Sequence, residues 1–298
     1  MPLLFGHGYL GSRVARLWQA EGRTVHVVTR SESRARELAA LGYTPLVADV
    51  TDADAIRAAL AELPPPDTVL FAVGYDRSAK SQSTSTPSIN DVYAGGLANV
   101  LAALPDATCR IIYISTTGVY SQTGGAVVDE DSPTEPTREG GRASLAAERA
   151  LAASRLASRG IVLRLAGIYG SERIPLAEPL RRGEPLAVPA EGCVNLIHVD
   201  DAARVVLAAE QLAVPAGHAP RIYNVSDGHP AIRGEYYAEL ARLLGAPPPT
   251  FATPAADAPA TLRASSDKRI SNARLLRELA ITLQYPSYRE GLRAIVDR

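Results

Sequence analysis

Cysteine is nearly missing from this chain: Cys109 and Cys193 are the only 2 in 298 residues. Two thiols cannot build a disulfide framework, and their spacing is not that of a metal knuckle. Both are expected to be reduced and buried, acting as small apolar side chains. No set of histidines, cysteines and carboxylates has metal-ligand spacing either, so no metal is expected. Net charge is equally scarce. The 31 basic residues face 32 acidic ones, for a formal charge of −1, which removes the electrostatic footprint of a nucleic-acid or anionic-membrane binder. There is no run of 18 apolar residues, so a membrane-spanning helix is not expected. The N-terminus leaves no room for the apolar stretch of a signal peptide before Gly6. These absences point to a cytoplasmic protein with a small-molecule partner, no nucleic acid and no membrane; a monomer or homodimer is expected.

What is present is an ordinary globular composition, 46% hydrophobic and 21% charged, at a length sufficient for a large core. Apolar Pro2 to Phe5 runs into Gly6, and Leu10, Val14, Leu17 and Trp18 then repeat at helical spacing. That is strand, turn, helix. Thr24 to Thr29 reads as a second strand, 32 to 41 as a helix, Thr44 to Ala48 as a strand and Asp52 to Leu63 as a helix opened by capping residues. Asp67 to Val73 and Arg110 to Ser115 are apolar enough to be parallel strands covered on both faces. The helical stretch Asp91 to Leu104 lies between them, after a polar loop from Ser78 to Ser88. Residues 121 to 143 read as a long surface loop, 144 to 159 as an Ala-rich helix and Ile161 to Leu165 as a buried strand.

Beyond that strand the alternation weakens. Val194 to Val199 is expected as a strand, Asp200 to Leu212 as a helix, and Ile222 to Val225 as a short strand. Helices are expected at Gly234 to Leu244, 271 to 280 and 286 to 296, with a Pro/Ala linker from Pro247 to Pro259. The fold class is therefore α/β: a doubly wound parallel sheet of Rossmann type over 1–165, and a smaller C-terminal substrate lobe over 166–298 from which 194–212 returns to the first domain.

The run Gly6-His7-Gly8-Tyr9-Leu10-Gly11 is GxGxxG. It follows a strand and opens a helix, with a second strand behind it, which is the context the motif requires. One glycine makes the tight turn, one lets the backbone approach a pyrophosphate, and one allows helix to pack on strand. The helix N-terminus supplies free N–H groups and partial positive charge. His7, in the middle of the loop, is expected to be exposed. Cofactor choice turns on the end of the second strand, where an acid binds a ribose 2′-hydroxyl and an arginine accommodates a 2′-phosphate. The chain carries Arg30 and Ser31 there, with Arg34 one turn on, so NADP is expected over NAD.

With these residues in place, the sequence resembles the extended branch of the short-chain dehydrogenase/reductase superfamily, the NAD-dependent epimerases and dehydratases. The resemblance rests on Gly6 to Gly11, Asp49-Val50, Ser115-Thr116-Thr117-Gly118-Val119-Tyr120, Arg164 to Gly170, Asn195 to Asp201 and Tyr223 to Asp227. It implies that Asp49 and Val50 lie beside the adenine, and that Ala72, Val73 and Gly74 border the ribose and nicotinamide side. It places Gly6, Gly8, Tyr9, Leu10 and Gly11 at the phosphates and Thr116 at the family's catalytic Ser/Thr position. His198 resembles a residue packed beneath a helix start, with an aspartate as the cap.

The family's acid/base pair departs from the pattern. A Tyr followed four residues later by Lys normally supplies it, the Lys and the nicotinamide lowering the phenol from about 10 toward the working pH. Aligned on Glu148, those positions hold Gly140 and Ser144. Tyr75 and Tyr120 are the candidate proton donors that remain, with Tyr169 also in a family motif and Arg142 a source of positive charge; a packing role is the competing reading for each tyrosine. Two functions follow. One is an NADP-dependent oxidoreductase or epimerase/dehydratase-like enzyme acting on a hydroxyl or carbonyl of a small, polar, sugar-like substrate, with Ile174 to Pro189 lining the pocket. The other is a catalytically silent NADP-binding sensor or scaffold.

Overall fold

The computed structural model describes residues 1–75, 87–213, 217–252 and 267–297. Most of the polar run Ser78–Ser88, and the linker beyond residue 252, lie outside the described residues. The chain divides into two compact units.

The first unit comprises 1–119, 139–164 and 203–223. It begins β1 (Pro2–Phe5), α1 (Gly11–Ala20), β2 (His26–Thr29), α2 (Glu32–Ala40), β3 (Thr44–Val47), α3 (Ala53–Leu60) and β4 (Thr68–Phe71). A π-helical turn, Asp91–Gly95, then leads into α4 (Gly96–Ala103), followed by β5 (Arg110–Thr116), α5 (Glu139–Ala153) and β7 (Gly160–Leu165). The seven-stranded sheet has the order β11-β7-β5-β4-β1-β2-β3, with β11 at Arg221–Val225. β1 pairs in parallel with β2 on one side and β4 on the other. The strand order reverses between β1 and β4, and that switch point, outside the strands' carboxyl ends, is where an open α/β sheet takes its ligand. All four residues of β1 and of β4 are buried, as parallel strands covered on both faces should be. Phe5 stacks on Phe71 at 6.0 Å between ring centroids, at the centre of a core that includes Leu3, Val69, Leu97 and Ile111.

The second unit comprises 120–138, 165–202 and 224–298. Its elements include β6 (Ala126–Val128), β8 (Gly167–Tyr169), α6 (Ala177–Arg181), β9 (Cys193–Val194) and β10 (Leu196–His198), with α7 (Val199–Glu210) starting in it. The later elements are β12 (Ala231–Ile232), α8 (Arg233–Leu244), β13 (Lys268–Ile270), α9 (Ala273–Leu279) and α10 (Tyr288–Val296). Tyr169, Tyr236, Tyr237, Leu240 and Leu292 form its core.

Several local expectations are corrected. Residues 121–143 are not one loop: β6 lies within them, pairing in parallel with β13, and α5 opens at Glu139 rather than 144. The glycines at 140 and 141 mask that first turn, although Glu139 suits the positive end of a helix dipole. The strand expected over 194–199 is two short strands divided at Asn195. Its amide ties the break to β13, donating to the Lys268 carbonyl (2.8 Å) and accepting from the Ile270 N–H (2.8 Å). Cys193 is buried, but Cys109 is exposed, since it stands just before β5 at the sheet's amino-terminal edge. His198 is buried as expected, its ring 3.9 Å from that of Tyr285. Asp201, however, accepts from the N–H groups of Gln284 and Tyr285, at 2.8 and 2.7 Å, and so ties down a distant loop.

No helix among the described residues is long and apolar enough to cross a membrane. None of their His, Cys, Asp and Glu side chains group so as to hold a metal ion.

Candidate functional site

The glycine loop is shaped by what surrounds it. Gly6 adopts φ 97°, a conformation that disfavours any side chain, and a Cβ there would lie 2.4 Å from the Ala72 carbonyl oxygen. Ala72 donates its N–H to the Phe5 carbonyl (2.8 Å), which holds that close approach in place. At Gly11 a Cβ would come within 2.1 Å of the Gly6 oxygen, so the third glycine brings α1 down onto the turn. Gly8 differs. A Cβ at this exposed position meets nothing within 4 Å, so its backbone faces open space.

A cleft of about 270 Å³, open to solvent, lies at this end of the sheet. Gly6 and His7 border it from the loop, Arg30 from the end of β2, and Arg34 and Leu38 from α2. Asp49, Val50 and Thr51 follow β3, Val73, Gly74 and Tyr75 follow β4, and Val92 comes from the π-helical turn. π-turns of this kind recur at functional sites. The cleft thus gathers Gly6, Arg30, Arg34, Asp49, Val50, Val73, Gly74 and Tyr75. Ala72 backs onto Gly6, while Leu10 and Gly11 are buried beneath the loop. Tyr9 is half-buried, with the Arg13 guanidinium 4.2 Å over its ring. Ser31 caps α2 by accepting from the Arg34 N–H (3.3 Å), so its role here is to orient that helix.

The Asp49 carboxylate accepts from both the N–H and the hydroxyl of Thr51, at 2.8 and 2.7 Å. Asn99 donates to the Val50 carbonyl (2.9 Å) and fixes the same turn. His7 is half-buried rather than exposed. Its Nδ1 accepts from Arg34 Nη2 at 3.2 Å, and its ring packs against Tyr43, centroids 5.2 Å apart. No spacing rule could have found this pair, because the two residues are brought together only through the sheet.

The fit to a dinucleotide rests on this geometry: an uncovered Gly8 backbone at a helix N-terminus, beside a cleft whose wall carries two arginines. A pyrophosphate held there loses its backbone approach if Gly8 gains a branched side chain. Gly8→Val is expected to weaken cofactor binding by about ten- to a hundredfold, the equivalent of one hydrogen bond to a charged group. Because the new side chain meets open space, the melting temperature should stay within about 2 °C, equivalent to roughly 1 kcal/mol or less. Unchanged affinity in calorimetry would place the phosphates elsewhere.

Thr116 ends β5 half-buried, its Oγ1 accepting from the Gly118 N–H (3.0 Å) and leaving its own proton to donate. Directly before it, Ser115 donates to Glu148 Oε1 (2.5 Å), and Glu148 is held from the other side by Arg164, Nη2 to Oε2 at 2.6 Å and Nε to Oε1 at 3.0 Å. Glu148 and Arg164 are only 6% and 4% exposed, so this ion pair ties β5, α5 and β7 together inside the core. On α5, Gly140 is half-buried, and Ser144 is buried and hydrogen-bonded to Tyr113, whose phenol burial holds far above the ordinary range.

Tyr75 is half-buried on the cleft, its hydroxyl donating to the Pro87 carbonyl (3.2 Å). Tyr120 belongs to the second unit, where it is 3% exposed and its hydroxyl donates to Asn224 Oδ1 (2.9 Å). In the same unit, Lys268 donates to the Tyr120 carbonyl (3.0 Å), and burial, reinforced by Arg138, pulls its ammonium down to about 8. Burial raises the Asp227 carboxyl to about 7. Asp227 closes the Tyr223 to Asp227 motif, whereas Lys268 stands in none; in both, burial is the leading cause of the shift.

A doubly wound sheet with a glycine loop at its switch point defines a Rossmann-type α/β protein. The chain belongs to the NAD dependent epimerase/dehydratase family, which it matches over residues 3–226. It is similar to Protein YeeZ of Escherichia coli (strain K12), with 30% identity over 95% of each chain. It is also similar to a 3-diazoavenalumate denitrifying reductase of a Streptomyces species, with 28% identity over 96% of each chain. In fold it is similar to the UDP-glucose 4-epimerase of Thermus thermophilus, solved in complex with NAD: TM-score 0.79, 21% identity, covering 100% of this chain and 98% of that one. Membership supports an NAD(P)-dependent oxidoreductase- or epimerase-like function.

Proposed function

We propose that the protein is an NADP-dependent oxidoreductase or epimerase-like enzyme acting on a hydroxyl or carbonyl of a small, polar, sugar-like molecule. The observation that carries the cofactor choice is the cleft wall at the end of β2. It presents Arg30 and Arg34, and the carboxylate that lines the cleft, Asp49, follows the next strand and is engaged by Thr51. Gly6, Gly8, Tyr9, Leu10 and Gly11 form the phosphate cradle, with Ser31 holding α2 so that Arg34 faces the cleft. Asp49 and Val50 border the adenine; Ala72, Val73 and Gly74 border the ribose and nicotinamide side. Bound NADP supplies a hydride donor or acceptor. Thr116 then orients a substrate oxygen and Tyr75 exchanges its proton. Tyr120 is the weaker donor, because it is buried inside the second unit on Asn224, whereas Tyr75, although its hydroxyl also has a partner in the Pro87 carbonyl, is half-buried and borders the cleft.

A relative named as a reductase favours turnover. Gly140 and Ser144 on α5 favour the second reading, a silent NADP-binding sensor or scaffold. Calorimetry with NADPH and NADH, followed by NADPH oxidation with a panel of ketoses, aldehydes and nucleotide sugars, tests both. Arg30→Asp is expected to cost NADPH at least about tenfold more affinity than NADH, or about 1.4 kcal/mol. Equal losses overturn the NADP assignment, and tight NADPH binding without turnover on any substrate supports the silent reading.

A further inference from the structure

His7 has an environment that the glycine motif does not require. Its Nδ1 faces Arg34 Nη2 at 3.2 Å, and a guanidinium can only donate, so Nδ1 is the acceptor and Nε2 carries the proton. Nε2 is buried and meets no oxygen or nitrogen partner among the described residues, consistent with a ring whose working contact is Nδ1. Arg34 is gripped from its other side by Glu37, Nη1 to Oε2 at 2.5 Å. Two acceptors on different elements, one on the glycine loop and one on α2, therefore fix a guanidinium that borders the cleft.

We propose that His7 is a positioning residue for phosphate recognition: as an acceptor from Arg34 it holds that guanidinium toward the cleft, so that a phosphate on the adenosine ribose is read by Arg34 together with Arg30. The inference rests on the assignment of this cleft to NADP, and it adds a residue that acts through another rather than on the ligand.

Protonation of His7 destroys the arrangement, because it removes the acceptor and sets a second cation against Arg34. Burial, then Arg34, then Arg16 on α1 keep the imidazole below its ordinary range, the loop's own hydrogen bonding opposing them. Tyr43 packs on the ring, Glu37 sits behind Arg34, and Asp49 borders the same cleft from β3. The sign follows: phosphate discrimination is complete where His7 is neutral and declines as pH falls through and below the histidine range. A 2′-phosphate also takes up a proton near about pH 6, whichever residue stands at position 7.

The experiment measures the ratio of NADPH to NADH affinity by calorimetry, from about pH 8 to about pH 4.5, a span that reaches well below the ordinary histidine range, for the wild type, Arg34→Ala, His7→Phe and His7→Asn. Phe keeps a ring against Tyr43 without an acceptor, and Asn keeps an acceptor at the Nδ1 position without the ring. His7→Phe is expected to lower the ratio at the alkaline end about tenfold, as Arg34→Ala does, and His7→Asn to restore it within about threefold. The wild-type ratio should fall more steeply with acid than that of His7→Asn, which titrates only through the phosphate. If Arg34→Ala lowers the ratio and His7→Phe leaves it at the wild-type value, His7 does not position Arg34 and the NADP assignment stands. If His7→Phe and His7→Asn weaken both cofactors equally, the residue merely supports the loop and the inference is overturned. If neither Arg34→Ala nor Arg30→Asp changes the ratio, the NADP assignment itself fails.

Discussion

Replacing Glu148 by alanine is expected to lower the unfolding free energy by about 3–5 kcal/mol, the cost of leaving a buried charge without its partner. Arg164 is 4% exposed and loses both oxygens of a bidentate pair, so its guanidinium stays in the core without that carboxylate. Ser115 loses its acceptor in the same step. Urea unfolding should therefore show an earlier midpoint with little change in slope. The paired apolar replacement Glu148→Leu, Arg164→Met removes both charges at once and should recover most of the loss, since a buried ion pair is roughly matched by well-packed apolar groups. A Glu148→Ala variant within about 1 kcal/mol of wild type would show that the pair is solvated, against its burial. The network also ends one residue before Thr116, so its loss should loosen the end of β5 and lower any turnover even where the protein remains folded.

How far the sequence reveals the molecule depends on how local each feature is. β1, the glycine turn and α1 were legible together because each constrains the next: an apolar run, a glycine that needs φ 97°, and helical spacing after it. β6 and β13 were not. Each has three residues and finds its partner at a great distance along the chain, Lys268 against Ala126, so neither carries enough periodicity to be read alone. Asn195 shows the same limit from another side, as it divides two short strands that read in sequence as one and its side chain bonds the backbone of distant β13.

The candidate site divides along the same line. Arg30 and Arg34 were legible because their distance from the glycine loop is set by one strand and one helix. His7 reads as exposed in sequence, because the groups that cover it, Arg34 of α2 and the Tyr43 ring before β3, lie far along the chain. Tyr75 and Tyr120 are equivalent in sequence, each at the end of a strand motif. Burial separates them: the Tyr120 hydroxyl is satisfied by Asn224 within the second unit, while Tyr75 borders the cleft.

That separation makes the second large prediction specific. Thr116 can give a hydrogen bond to a substrate oxygen, but a hydroxyl with no base beside it cannot exchange protons efficiently at neutral pH, so a second group must act. Tyr75→Phe is expected to reduce turnover by about 10²–10⁴-fold, the range for loss of a general acid, with NADPH affinity unchanged because the phosphate cradle lies on other strands. Thr116→Ala should cost less, since it removes one oriented donor and leaves the proton source in place. Tyr120→Phe should act chiefly on stability, by about 1–3 kcal/mol, because it strands the Asn224 carbonyl oxygen inside the second unit. Steady-state turnover and thermal melting of the three variants separate these roles. Full activity in Tyr75→Phe together with a turnover loss in Tyr120→Phe at unchanged melting temperature would transfer proton exchange to Tyr120. Full activity in the Tyr75→Phe, Tyr120→Phe double variant would remove it from both, leaving solvent or the substrate itself to deliver the proton after hydride transfer.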